Sequence, residues 1–334
     1  AQREKDRLSD PILVSFPAVI IIFKRSVSEF TPRSSSLFMI SSFHWIFLAL
    51  LAALLESLKD LASKASLRTI SPQLAGLAAS AVPIPLLLTL LLSSSSWPAI
   101  DSRFFFALTL SGSLNILGMF QFMRALQESD LSLTIPFIAF TPIFLLVTSP
   151  LLVGDIPTHR DVAGIACIVG GAYLLHLHSI HRGWLAPFQA IWDQPGPRRM
   201  LFVALIYSFT SNFDKMGVQH SSPLLWSLAI TTFMAVGFVG LLQYVPWSGT
   251  PPPHGRTLLV LLMIGVCQGL VLLVQNHALL SGPVPSVIAL KRTSILFAVI
   301  WGILFLRESH SRERVAGAFL IITGILTLGI GRNG

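Results

Sequence analysis

Two adjacent cations, Lys291 and Arg292, stand near the middle of an apolar stretch, residues 284–306, that contains no acid. Arginine offers a planar, bidentate fork and lysine a compact charge, and both suit a phosphate or a carboxylate. This basic pair, as we call Lys291 and Arg292, therefore predicts an anion-binding site. The alternative is a structural role, in which the two side chains bind backbone carbonyls and a distant carboxylate.

Charged residues also recur inside the first apolar stretch, where Glu56, Lys59, Asp60 and Lys64 follow one another at spacings of three and four. Such spacings place side chains on one face of a helix. Three hypotheses follow. The residues form mutual pairs, Glu56–Lys59 and Asp60–Lys64; or Glu56, the deepest, couples proton movement, with Asp60 as a second candidate; or one of these two acids is the counter-ion of the basic pair.

Amide side chains occur in two further apolar stretches, Asn115 and Gln121 in one, Gln268 and Gln275 in the other. Gln268 and Gln275 are seven residues apart and share a helix face. Buried amides either line a cavity or hold helices together, and we favour the cavity. Tyr207 is added to this candidate binding set because its hydroxyl could face a ligand.

The remaining polar clusters predict little chemistry. Asp214 and Lys215 are neighbours near a helix end and are expected to form a local pair. His176, His178 and His181 have no cysteine or acid nearby and are expected to be solvated loop residues. We predict no metal and no cofactor, and we find no nucleotide motif and no paired nucleophile and base.

The composition indicates what must position these residues. Of the 334 residues 53% are hydrophobic and only 11% are charged, against roughly 25% in an ordinary soluble domain. This excludes a water-soluble enzyme. The net charge of +8 is scattered between apolar blocks, so we predict loop charges flanking membrane helices and no nucleic-acid partner.

Ten segments are long and apolar enough to cross a bilayer, which needs about 20 such residues. They cover residues 44–63, 72–92, 104–123, 131–153, 160–179, 200–219, 223–245, 257–280, 284–306 and 313–331. We therefore predict an all-α membrane protein of ten transmembrane helices. Residues 1–38 are rich in charge and proline, and are expected to be a poorly ordered extension.

The second half of the chain repeats the first. At an offset of 151, Lys64 falls on Lys215; at an offset of 153, Asn115 falls on Gln268 and Asp155 on Glu308. Residues 39–179 and 200–334 are the two predicted repeats, joined by a linker, residues 180–199. Five spans per repeat make the two repeats inverted, an arrangement typical of secondary transporters with a site near mid-membrane.

Short motifs carry a resemblance to a known family. They are Ala125-Leu126, Leu151-Leu152-Val153-Gly154-Asp155, Val162-Ala163-Gly164 and Gly170-Gly171, and in the second repeat Ala278-Leu279, Lys291-Arg292-Thr293-Ser294, Phe305-Leu306-Arg307-Glu308, Gly317 and Gly324. Over about residues 44–331 the chain resembles EamA-type members of the drug/metabolite transporter superfamily, although Asp155 replaces the usual glutamate. The resemblance implies ten helices, alternating access and cytoplasmic termini.

The basic pair itself resembles the phosphate-binding pair of the triose-phosphate and nucleotide-sugar branch of that superfamily. That branch usually adds a basic residue from the fourth helix, whereas the repeat partners of the basic pair here are the apolar Ile138 and Ala139. The resemblance therefore leaves the substrate open among amino acids, amines, sugars, phosphosugars and drugs.

We predict a secondary transporter of a small polar metabolite, anionic or zwitterionic, such as an amino acid, an organic acid or a phosphosugar. The alternatives are a multidrug or amine exporter of the same superfamily, or an intramembrane enzyme. The expected partners are the substrate, the lipid bilayer and, as a candidate coupling ion, the proton; the chain is a monomer or a homodimer. We expect it in a cell (plasma or inner) membrane, although the basic residues of the loops favour the opposite orientation to the cytoplasmic termini that the resemblance implies.

Overall fold

The structure, a computed structural model, describes residues 35–66, 70–94, 97–128, 135–177, 194–244, 255–297 and 312–330. Residues 42–334 form one compact unit and residues 1–41 another. Most of the predicted N-terminal extension and of the predicted linker lies outside the described residues. The described part is helical and contains no β-strand, so the all-α prediction is confirmed.

Eleven α-helices and one 3₁₀ helix make up the described residues. They are α1 (Ser35–Ser66), α2 (Pro72–Ala81), α3 (Pro83–Leu92), α4 (Ser102–Glu128), the 3₁₀ helix Ile135–Phe140, α5 (Thr141–Leu152), α6 (His159–Leu177), α7 (Pro195–Gln219), α8 (Pro223–Tyr244), α9 (Arg256–Ser281), α10 (Val284–Lys291) and α11 (Arg312–Ile330).

The predicted spans fall on these helices, and several meet the requirements for crossing a membrane. Four described helical segments are long and apolar enough: Pro72–Leu92, Ser102–Ala125, Pro223–Gln243 and Thr257–Ser281. Two shorter ones, Phe137–Leu152 and Ala316–Leu328, are also apolar. The protein is therefore a helical membrane protein, while the number of ten crossings stays a prediction.

Three spans are interrupted, two of them at proline. The second span changes from α2 to α3 at Val82, because Pro83 has no N–H to donate. The fourth span begins as the 3₁₀ helix Ile135–Phe140 and becomes α-helical at Thr141. The ninth span leaves the α-helix after Lys291. The second and third of these interruptions coincide at the repeat offset of 153, so both repeats break the same span.

Glycines of α6 and α11 bring these two helices into backbone contact. A Cβ atom on Gly164 would lie 3.1 Å from the carbonyl oxygen of Gly324, and one on Gly171 would lie 2.6 Å from that of Gly317. The repeat offset maps Gly164 onto Gly317 and Gly171 onto Gly324, so it exchanges the two contacts. The sequence left open whether these glycines pack within one chain or between chains, and in this structure they pack within one chain.

A second pair of contacts follows the same rule. Gly112 of α4 packs against the ring of Phe233 of α8, and Gly265 of α9 packs against Val82. At offsets of 153 and 151 these positions map onto one another, Gly112 onto Gly265 and Val82 onto Phe233. Contacts that exchange in this way are what two repeats related by a two-fold axis produce, so the packing supports the two-repeat architecture.

Candidate functional site

The basic pair lies where the ninth span changes direction. Helix α10 ends at Lys291, and the amide of Arg292 donates to the carbonyls of Ile288 and Ala289, both at 3.1 Å. The amide of Thr293 donates to Leu290 at 3.0 Å, a tighter turn of 3₁₀ type. The C-terminal end of a helix favours cations, because its last carbonyls carry partial negative charge. The backbone therefore helps to hold two buried positive charges side by side.

Arg292 reaches across to the fourth span. Its Nη2 donates to the hydroxyl of Thr141 at 3.2 Å, and that hydroxyl donates in turn to the carbonyl of Ile138 at 2.7 Å. The Nε atom of Arg292 is buried and has no hydrogen-bond partner among the described residues. Thr141 was not predicted from the sequence. One signal could have found it: it is the repeat partner of Ser294, at the same helix break.

Lys291 faces the first span. Its ammonium lies 3.6 Å from the Oε2 atom of Glu56, whose Oε1 atom is 2.9 Å from the ammonium of Lys59. Oε2 has no hydrogen-bond partner among the described residues. One buried carboxylate therefore stands between two lysines. The mutual pair Glu56–Lys59 and the counter-ion contact Glu56–Lys291 are both present.

Lys59 connects this group to α9. Its ammonium donates to the Oε1 atom of Gln268 at 3.1 Å and lies 3.7 Å from the carboxylate of Asp60. The side chain of Asp60 is 47% exposed, against 11% for Glu56, so Glu56 is the more enclosed of the two acids. The predicted Asp60–Lys64 pair cannot be followed, because the side chain of Lys64 lies outside the described residues.

Tyr207 joins the same neighbourhood from α7. It interacts electrostatically with Lys59 and Arg292, and its ring packs over Gly118 of α4, where a Cβ atom would lie 2.8 Å from Cε1. Gly118 thus leaves the space that the tyrosine ring occupies. The first, seventh, ninth and tenth helices and the start of α5 all contribute to one buried, charged site.

Two of the predicted amides lie elsewhere. Gln121 accepts a hydrogen bond at 2.9 Å from Arg199, which also binds Glu128 at 2.7 Å, near the end of α4. Asn115 donates to the hydroxyl of Ser111 at 3.0 Å. Neither forms a hydrogen bond with the basic pair. Both contacts hold α4 to itself or to α7, and a binding role for these two residues stays a prediction.

The comparison with protein families decides the identity of the chain. The profile of the EamA-like transporter family matches residues 43–177 and matches a second time at residues 199–330. The chain belongs to the EamA-like transporter family. It is thus a membrane transporter of the drug/metabolite superfamily, as its resemblance implied, and the two matches fall on the two predicted repeats.

A solved structure shares the fold of this transporter. It is described only as the crystal structure of a protein, is 15% identical in sequence and superposes with a TM-score of 0.69 over 85% of this chain and 96% of its own. No curated protein matches the transporter. Its substrate therefore has to be argued from its own residues.

Gln275, the remaining predicted amide of the transporter, is buried two turns beyond Gln268 on α9. Its side-chain oxygen has no hydrogen-bond partner among the described residues. The next residue, Asn276, donates to the hydroxyl of Ser227 on α8 at 2.9 Å and so connects two helices. Gln275 is therefore an uncommitted acceptor on the helix that also carries Gln268.

The predicted local pair of Asp214 and Lys215 is wrong. Lys215 binds the carboxylate of Asp155 at 2.7 and 2.9 Å, whereas Asp214 accepts from Ser111 at 2.6 Å and from the indole N–H of Trp226 at 3.2 Å. The reason is geometric, because adjacent residues of a helix point to different sides. The sequence did carry a signal for Asp155, since it is the repeat partner of an acid.

The histidine expectation falls largely outside the structure. His178 and His181 are not among the described residues, and the side chain of His176 is not described either. In the part that is described, no group of histidine, cysteine, aspartate and glutamate side chains is placed to hold a metal ion.

Proposed function

We propose that this transporter carries a small polar metabolite with an anionic group, and that Lys291 and Arg292 bind that group. The observation that carries the proposal is an excess of buried donors over acceptors at the basic pair. Amino acids, organic acids and phosphosugars all bring the required acceptor oxygens.

The donors of the basic pair are poorly satisfied by the described residues. The ammonium of Lys291 has Glu56 at 3.6 Å but no described hydrogen bond, and Arg292 uses one of its N–H donors on Thr141. A guanidinium has five N–H donors and an ammonium has three. Leaving such donors unpaired inside a membrane protein is costly, whereas a carboxylate or phosphate would form charge-assisted hydrogen bonds with them.

The same site can recognise a zwitterion. The Oε2 atom of Glu56 and the side-chain oxygen of Gln275 are buried acceptors without described hydrogen-bond partners. An ammonium group of a substrate could bind such an acceptor while its carboxylate binds the basic pair. A plain amine fits less well, because Glu56 already faces Lys59 and Lys291.

Alternating access follows from where the site lies. Arg292 belongs to the second repeat and Thr141 to the first, and both stand at the break of their span. Broken helices at the interface of two repeats are typical of substrate sites in secondary transporters. We propose that the two repeats move relative to each other around this point and expose it to one side at a time.

Proton coupling is proposed for Glu56, with Asp60 as the second candidate. Glu56 contacts Lys291 and is enclosed, so a change in its charge would alter the hold on the cation that binds substrate. Asp60 contacts Lys59 only at 3.7 Å and is half exposed.

The experiment begins with purified protein and matched ligands. Thermal stabilisation is measured with α-amino acids, dicarboxylates and sugar phosphates, each beside the amine or the neutral sugar that lacks the anionic group. We expect stabilisation, and uptake into proteoliposomes, only with compounds that carry the anion. Stabilisation by amines alone would instead support the exporter alternative, and mass analysis of recovered substrate separates a carrier, which returns it unchanged, from an enzyme.

The membrane and the orientation are proposed as before, a plasma or inner cell membrane with cytoplasmic termini. A cysteine appended after Gly334 would test this with a membrane-impermeant thiol reagent. Labelling in intact cells would show that the C-terminus lies outside.

A further inference from the structure

We infer that Asp155 and Lys215 are positioning residues of the basic pair and that their ion pair holds one end of the transport pathway closed. This inference rests on the proposed function, because it concerns the movement that alternating access requires. We call the pair the latch. Its two residues come from different repeats, Asp155 from the first and Lys215 from the second.

The backbone presents Asp155 to the second repeat. Helix α5 ends at Leu152, and Gly154 has a φ of 72°, in the left-handed region that glycine adopts easily. The chain turns there and brings Asp155 to Lys215, which is only 7% exposed. Both carboxylate oxygens accept from the ammonium, at 2.9 and 2.7 Å.

The latch also grips the connection between α9 and α10. Lys215 donates to the carbonyl of Gly282 at 3.1 Å, and Asp155 accepts from the amide of Val284 at 2.9 Å. Gly282 itself packs so closely on Trp45 of α1 that a Cβ atom would lie 2.9 Å from the indole ring. Four parts of the chain therefore meet at the latch, namely the ends of α5 and α7, the start of α10 and the first span.

A second carboxylate of the first repeat holds the same helix. Ser286, in the first turn of α10, donates to Asp161 at 3.1 Å, and Asp161 also accepts from the amide of Thr158 at 2.9 Å. The N-terminal turn of α10 is thus fixed to the first repeat by Asp155 and Asp161. Both acids lie at the helix end where negative charge is favourable.

Helix α10 connects the latch to the basic pair. It has eight residues, so at 1.5 Å per residue it is about 12 Å long, with Val284 at the latch and Lys291 in the site. A rigid helix this short transmits a displacement from one end to the other. Binding of an anion at Lys291 and opening of the latch are therefore coupled through α10.

The test measures accessibility and does not need a substrate. Cys267 is partly exposed on α9, beside Gln268, and interacts electrostatically with Lys59 and Glu56, so it reports on the site. In a Cys167→Ser background, its reaction with a membrane-impermeant maleimide is measured in right-side-out and in inside-out vesicles. We expect Asp155→Asn and Lys215→Met each to raise the rate about tenfold from one side and to lower it from the other.

Matched variants separate a latch from a merely structural pair. Asp155→Glu keeps the charge and should react like the parent, and the double variant should not exceed either single variant, because both remove the same interaction. An increase from both sides, or no change from either, would overturn the inference. If Asp155→Asn does not yield folded protein, Ser286→Ala loosens the same helix more mildly; we expect a two- to threefold increase from the same side, and an unchanged rate would count against the latch.

The outcome is independent of the proposed substrate. One-sided exposure of Cys267 without uptake of any anion would leave the latch standing and reject the proposed function. Uptake of an anion by a protein whose Cys267 accessibility ignores Asp155 would do the reverse.

Discussion

Glu56 on the first span and Lys291 at the end of α10 lie 3.6 Å apart, and the same carboxylate is 2.9 Å from Lys59. Glu56 is thus shared between a lysine of its own helix and a lysine of the other repeat. Its contact with Lys291 is the longer one and is not a hydrogen bond. An anion of a substrate that approached Lys291 would compete with this contact, and the predictions below depend on that competition.

Replacing Glu56 by glutamine should uncouple transport from protons. Glu56→Gln removes the titratable group between Lys59 and Lys291, so we expect uptake driven by a pH gradient to be lost while substrate exchange at equilibrium persists. The measurement is proteoliposome uptake with and without the gradient. Asp60→Asn is the matched control; if it alone abolished gradient-driven uptake, the coupling role would pass to Asp60.

Removing the hydroxyl of Thr141 should weaken substrate binding. Thr141→Val keeps the shape but removes the acceptor of the 3.2 Å hydrogen bond from Arg292. Hydrogen bonds to charged groups contribute about 1.5–3 kcal/mol, so a KM increase of about tenfold or more is expected, with the melting temperature nearly unchanged. Ser294→Ala, at the repeat-equivalent position, is the control and should change KM less than twofold.

The glycine contacts of α6 and α11 should be sensitive to a single methyl group. In Gly171→Ala the new Cβ atom would meet the carbonyl oxygen of Gly317 at 2.6 Å, and overpacking of this kind costs about 1–3 kcal/mol. The thermal unfolding temperature in detergent should fall. Gly240→Ala on α8, where no atom lies within 4 Å, should keep or raise it. Equal effects of the two substitutions would contradict the packing described.

Stability should fall at acidic pH through Asp101, which precedes α4. Burial acts to raise its pKa, but hydrogen bonds from the amides of Phe104 and Arg103 and the nearby His220, at 2.8 Å, together lower the pKa below its ordinary value of 3.8. A lowered pKa means that the contribution is complete above about pH 4 and is lost as the pH falls through the lowered value. Asp101→Asn should therefore reduce the acid dependence of the unfolding temperature below pH 4. An unchanged acid limb would show that Asp101 does not contribute.

The sequence predicted more of the fold than of the site. Apolar length and a repeat offset were enough to place the helices and to single out Gly164 and Gly324, because both are properties of position along the chain. They could not show that these glycines meet within one chain. Similarly, helical spacing put Glu56 and Lys59 on one face, but Thr141 became visible as the partner of Arg292 only when the fourth and ninth spans were packed together.

Misassigned partners have the same origin. Lys215 was paired with its neighbour because sequence proximity was the only distance available, whereas the turn at Gly154 delivers Asp155 from the other repeat. Gln121 was grouped with the cavity amides, yet the long side chain of Arg199 reaches it from α7. A charged side chain can span several ångströms, so its partner depends on which helices are neighbours and not on which residues are.

The central claim is that Lys291 and Arg292 bind the anionic group of the transported metabolite. It is tested most directly by uptake of the preferred anion into proteoliposomes containing the parent protein, Lys291→Met or Arg292→Gln, with Arg124→Gln as a control at a more exposed arginine whose guanidinium packs over Phe120. We predict at least a tenfold rise in KM, or loss of uptake, for each of the first two variants and less than a twofold change for the control. Unchanged uptake by both Lys291→Met and Arg292→Gln, in protein that is folded and inserted, would contradict the claim.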